Sequence, residues 1–260
     1  MRMVGTVGLT ILWIAATFAV LALLGPDWAR YAPATCLGTR CFCELPRTGD
    51  LLLQPANSWS SFGFVAVGSW IMLGAQSVPG TAFQGLAARW FGFTAVVIGV
   101  GSVLLHATLT LWGQFADVAG MYLLGGFNLT YALVRWRSLR RRPAVVLYLA
   151  LSTLLIGILW AAPESRRWLF AVVLVAAIVV EIGFARPLRP GVRVGWFALG
   201  IVANAVAFGI WILDNTGRLC APHSLIQGHA AWHLLGAVAV ACSYAYFLSE
   251  RAGPAAASRR

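Results

Sequence analysis

The sequence predicts a bundle of membrane-spanning α-helices, and three observations carry that prediction. The 260 residues are 60% hydrophobic and only 10% charged, whereas a soluble domain carries about a quarter charged residues. Mean hydropathy is +0.80. Apolar runs of helical length recur from end to end, each close to the ~20 residues that cross a ~30 Å hydrocarbon core. Eight spans are expected, at 6–24, 57–77, 87–107, 113–134, 144–161, 168–185, 194–213 and 229–248. No repeat period suggests a solenoid, and no polar stretch is long enough to stand as a soluble domain.

The first span also has features of a secretory signal, because Arg2 precedes it and Ala32-Pro33-Ala34 follows as a small-residue site. Its apolar run exceeds the length of a signal core, which favours a retained helix. Loop charges orient the rest. The loop after the fourth span holds Arg135, Arg137, Arg140, Arg141 and Arg142, and that after the sixth holds Arg186, Arg189 and Arg193. An even number of spans puts these with Arg2 and the tail arginines on one side, so both termini are expected in the cytoplasm. Arg30, Arg40, Arg47, Arg166, Arg167 and Arg218 fall on the other side. The formal net charge of +11 is therefore read as topology and contact with anionic lipid, not nucleic-acid binding.

The chain has four histidines, and two of them open the last span, in Gly228-His-Ala-Ala-Trp-His233. Spacing of i, i+4 stacks His229 and His233 on one helical face, as two nitrogen ligands of a zinc ion require. His106 ends the third span. Asp117 cannot share a continuous helix with it, since eleven residues at 1.5 Å rise are ~16 Å apart. The chain must therefore reverse near 108–113, which returns Asp117 beside His106. The topology sends His106, Asp117, His229 and His233 to the same extracytoplasmic leaflet, and Ser102 lies one turn below His106 on the same face. Three histidines leave a fourth tetrahedral position open for water, a catalytic arrangement. Asp117 would carry a proton and Ser102 would orient water or bond the oxyanion. A substrate arriving through the membrane is a lipid. His223 is expected in solvent, Asp214 as a tether of the loop carrying Cys220, and Glu181 paired with Arg186 or snorkelling.

These motifs resemble the alkaline ceramidases, of the superfamily of seven-helix membrane hydrolases that includes adiponectin-type receptors. The similar segments are Gly101-Ser102-x3-His106-Ala-Thr-Leu, Gln114-x2-Asp117-x3-Met121, Trp211-x2-Asp214-x5-Cys220 and His229-x2-Trp-His233, within about residues 41–248. The resemblance implies that His106, His229 and His233 bind zinc, with Asp117 and Ser102 contacting its water. It implies a seven-helix hydrolase core over 35–250, an added N-terminal span and loop over 1–34, and a tail over 251–260. It implies a zinc-dependent hydrolase of linear amides that releases fatty acid from ceramide or another N-acyl lipid. A lipid receptor or sensor of the same superfamily is the alternative. An ester hydrolase could use the same water, and an ion transporter would have only Asp117 and Glu181 to work with.

The family binds calcium through acidic side chains in an Asp-Trp-Cys-Glu-type segment followed by Glu-x2-Asn. Here the first segment reads Cys41-Phe-Cys-Glu44, and Gln54 stands ahead of Asn57. Calcium prefers several hard oxygens, and Glu44 is the one acidic ligand retained. Cys36, Cys41, Cys43 and Cys220 lie in loops on the oxidising side and allow two disulfides. The resemblance implies Cys43–Cys220, leaving Cys36 and Cys41 for each other.

Overall fold

In a computed structural model describing residues 2–39, 42–75, 80–188 and 191–251, each expected apolar run forms a helix. The helices are α1 (Arg2–Leu24), α2 (Pro55–Gly74), α3 (Gly85–Thr108), α4 (Leu111–Arg137), α5 (Arg141–Ala161), α6 (Arg166–Val180), α7 (Val194–Asn215) and α8 (Gly228–Leu248). Bounds shift by a few residues from expectation, and positions 76–77 of the expected second span lie outside the described residues. The fold is an all-α polytopic bundle. Six helices are long and apolar enough to cross a membrane by length and composition. The exceptions, α2 and α4, carry buried polar side chains such as Asn57, Ser61, Gln114 and Arg135. In a lipid-embedded bundle such groups must turn inward to find partners.

Packing runs from α6 through α4, α3 and α2 to α8 and α7. Helix α5 covers α4 from outside, and α1 lies across α2 and α3, burying Leu21 against Phe62, Val65 and Val96. Among the described residues α6 and α7 pack far less closely than the other neighbours in this series, meeting where Arg167 lies over the Trp211 ring. Outward faces bear Leu12, Val146, Trp160 and Val172, as lipid contact requires.

Two features set the geometry of the site. Leu109 adopts left-handed φ 50° after α3, and Thr110 caps α4 by accepting a hydrogen bond from the Gly113 amide at 3.2 Å. This is the reversal expected near 108–113. The second is close approach of α3 and α4 at Gly101, where a Cβ would lie 2.5 Å from the Ala116 carbonyl oxygen. Only a glycine lets the two backbones come that near, which brings Ser102 and His106 beside the start of α4.

The opposite end of the bundle corrects one expectation. Glu181 does not pair with Arg186; it is buried and accepts from Arg135 at 2.6 Å and from the Tyr246 hydroxyl at 2.5 Å. Arg135 also meets Glu250 at 2.6 Å and is 3% exposed, so it is not a surface anchor like the arginines that follow it. A π turn at Glu181–Ala185 interrupts the end of α6, where Glu181 faces the bundle.

Candidate metal centre

His106, His229 and His233 are buried, and one nitrogen of each lies within 4.8 Å of the others. Their ring centroids are 4.5–5.0 Å apart. Neighbouring groups determine which nitrogen His106 and His233 can offer. Gln54 donates from Nε2 to the Glu44 carbonyl at 2.7 Å, so its Oε1 is the end that meets His106 Nδ1, at 2.8 Å. An amide oxygen accepts only, hence Nδ1 carries the ring proton and Nε2 is a lone-pair donor. That Nε2 is buried with no hydrogen-bond partner. The same logic governs His233. Ser60 and Ser61 both donate to the Asn57 carbonyl, at 3.0 and 2.7 Å. Their lone pairs therefore receive the His233 Nδ1 proton, at 2.9 and 3.2 Å. His233 Nε2 is left to face Ser102 Oγ at 3.2 Å.

A buried, unpaired imine nitrogen is costly in an apolar interior, and a cation held among the three rings would satisfy it. The donor set of three buried imidazoles, two of them (His106 and His233) oriented by a second partner, suits a divalent transition metal. The chain's residues thus fit a metal ion. Ser102 also faces the carboxylate of Asp117, which lines the same cavity. The expected residues His106, His229, His233, Ser102 and Asp117 are therefore brought together from α3, α4 and α8. His223 is exposed, as expected.

Glu44 goes elsewhere. Its two carboxylate oxygens accept the amides of Ala56 and Asn57, at 2.8 and 2.9 Å, at the start of α2. A carboxylate there complements the helix dipole and free amides. Burial pushes its carboxyl above the ordinary range, against the pull of those two amides. Among the described residues no second group of three histidine, cysteine or acidic side chains converges on a point. Of the other expected calcium positions, Cys41 lies outside the described residues and Gln54 is engaged with His106.

The first loop is stitched over the centre. Leu53 and Gln54 donate to the carbonyls of Ala107 and His106, both at 3.0 Å. Cys43 and Cys220 form the expected disulfide, while the Cys36–Cys41 pairing involves a residue outside the described set. Asp214, in the last turn of α7, accepts the amides of Cys43 and His229, both at 3.2 Å. It tethers the first loop as well as the start of α8. Phe42 lays its ring 4.5 Å from His106 and 4.4 Å from His229, shielding them from solvent.

Gln54, Ser60, Ser61 and Phe42 are site residues that sequence reasoning assigned no role there. A polar cluster at the start of α2 was visible, but nothing local says which partner it faces. From the cluster a mostly apolar cavity of about 210 Å³ runs between α4, α6, α7 and α8, past Met121, Phe170 and Val240, to Asn128 and Ser243.

Among curated proteins the chain has no match. A protein-family model, ceramidase, matches residues 54–256, leaving α1 and the loop with Cys43 and Glu44 outside. The match takes in all three clustered histidines, Ser102 and Asp117 over most of the chain, and the protein belongs to the ceramidase family.

Proposed function

We propose that this protein is a membrane amidohydrolase that uses zinc to cleave the N-acyl bond of ceramide or a related N-acyl lipid. Membership of the ceramidase family implies amide-bond hydrolysis. The observation that carries the finer reading is the buried triad of histidines, with His106 Nε2 unpaired, beside Ser102 and Asp117 at the end of an apolar cavity.

His106, His229 and His233 would hold the metal, whose contribution when bound is Lewis acidity toward water and the acyl carbonyl. Asp117 accepts a proton from the attacking water and returns it to the departing nitrogen. Ser102 donates a hydrogen bond to the negative charge that develops on the carbonyl oxygen. Water adds to the acyl carbon, the C–N bond breaks, and a fatty acid and a free amine leave. Phe42 and the first loop keep bulk water off the rings. The loosely packed seam between α6 and α7 suits entry of a chain from the bilayer. With the arginine-rich end of α4 in the cytoplasm, the centre belongs to the extracytoplasmic leaflet.

The test is elemental analysis and lipid turnover on detergent-purified protein, wild type against His229→Ala. Near-stoichiometric zinc and fatty-acid release, both lost in the variant, are expected. Turnover of N-acyl lipids that survives the substitution would refute the reading.

A further inference from the structure

Two arginines, Arg166 and Arg167 at the start of α6, line the same cavity as His229, His233 and Asp117. Read from sequence, they were ordinary loop charges. Arg166 is 9% exposed; its carbonyl accepts the Tyr122 hydroxyl at 3.1 Å, and its Nη1 bonds the Pro163 carbonyl and Glu164, each at 3.2 Å. Arg167 lies over the ring of Trp211 at 5.3 Å, and Trp211 lines the cavity too. Among the described residues Arg167 forms no ion pair, and it is near enough to His229 to act on that ring electrostatically.

One nearby acid, Glu164, serves both cations, pairing with Arg166 and acting on Arg167 from further off. Glu164 has a side chain 75% exposed, and an ion pair in that setting is weak. Asp117 is turned to Ser102. The cavity is otherwise largely apolar, and Arg167 stands exposed at its edge, where its donors can meet an oxyanion on a lipid whose chain lies inside. A guanidinium stacked on an indole is held in plane, and its fork of donors matches carboxylate or phosphate oxygens.

We propose that the substrate of this centre is an N-acyl lipid whose amine portion carries a compact oxyanion, carboxylate or phosphate, close to the amide. Arg167, assisted by Arg166, binds that anion while the acyl chain runs down the cavity. The amide chemistry rests on the amidohydrolase reading above; the anion preference does not. Arg167 is then a specificity-determining residue, while the reaction itself is unchanged.

Three lipids of equal acyl length separate the cases: an N-acylglycine, an N-acylethanolamine phosphate and the neutral N-acylethanolamine. Their binding to metal-free protein in non-ionic detergent, by equilibrium dialysis, is compared with kcat/KM on the metal-loaded enzyme. Either anion is expected to bind at least about tenfold tighter than the neutral lipid, as for hydrogen bonds to a charged group. Whether carboxylate or phosphate binds tighter identifies the headgroup. In Arg167→Gln the ratio collapses, mainly through KM; in Arg141→Gln, at the far end of the bundle, it is kept. Equal affinity for all three lipids, or an unchanged ratio in Arg167→Gln, overturns the proposal. Charge-selective binding with no turnover would sink the amidohydrolase reading and leave the anion site standing. Turnover without charge preference would do the reverse.

Discussion

Replacing Gln54 by Met should weaken metal binding at the candidate centre without touching any of its three histidines. Gln54 is 2% exposed, and its amide accepts from His106 at 2.8 Å and donates to the Glu44 carbonyl at 2.7 Å. A methionine fills the same volume and does neither. The His106 Nδ1 proton then loses its acceptor, the ring is freed to rotate or change tautomer, and Nε2 ceases to be fixed toward its neighbours. Loss of such a partner lowers metal affinity by about 10–100-fold, or roughly 1.4–2.7 kcal/mol. Stability of the metal-free protein should also fall by about 1–3 kcal/mol for each buried group left unpaired. The assay is zinc competition against a chromophoric chelator in detergent, paired with a thermal melt. Gln54→Glu supplies the control, because it restores an acceptor for His106 while still losing the donor to Glu44. It should recover affinity but not stability. A folded Gln54→Met protein with wild-type zinc affinity would refute the claim that this hydrogen bond orients His106.

Two further substitutions test the scaffold. Gly101→Val puts a Cβ 2.5 Å from the Ala116 carbonyl oxygen and 2.8 Å from the Asp117 amide; overpacking of this kind costs about 1–3 kcal/mol. Prying α3 from α4 by ~1 Å should cut turnover by about a hundredfold, measured as kcat on protein still folded by circular dichroism. Glu181→Gln leaves Arg135 with Glu250 in a buried setting, where breaking an ion pair costs about 3–5 kcal/mol. Eighteen residues along α4 put Arg135 ~27 Å from Asp117, so the melting temperature should drop while turnover per folded molecule holds.

The helices and the pairing of His229 with His233 were legible in the sequence because both depend on short-range order. A run of apolar residues long enough to cross a bilayer has few alternatives to a helix, since unpaired backbone is too costly in hydrocarbon. His229 and His233 share a face by helical periodicity alone. The reversal between His106 and Asp117 follows from chain length, and the structure shows it at Leu109–Thr110. What periodicity does not encode is the partner of a polar group across the bundle. Gln54 looked like a defective calcium ligand and instead orients His106. Glu181 is near Arg186 in sequence yet pairs with Arg135, 46 residues away. Arg166 and Arg167 read as topology but line the cavity. In each case the side chain's role depends on which helix lies opposite. The sequence determined a membrane bundle with three histidines, a serine and an aspartate able to meet. The tertiary structure decided which nitrogens face inward, what holds them there and which charges surround the cavity, because inter-helix packing sets those distances and no local rule does.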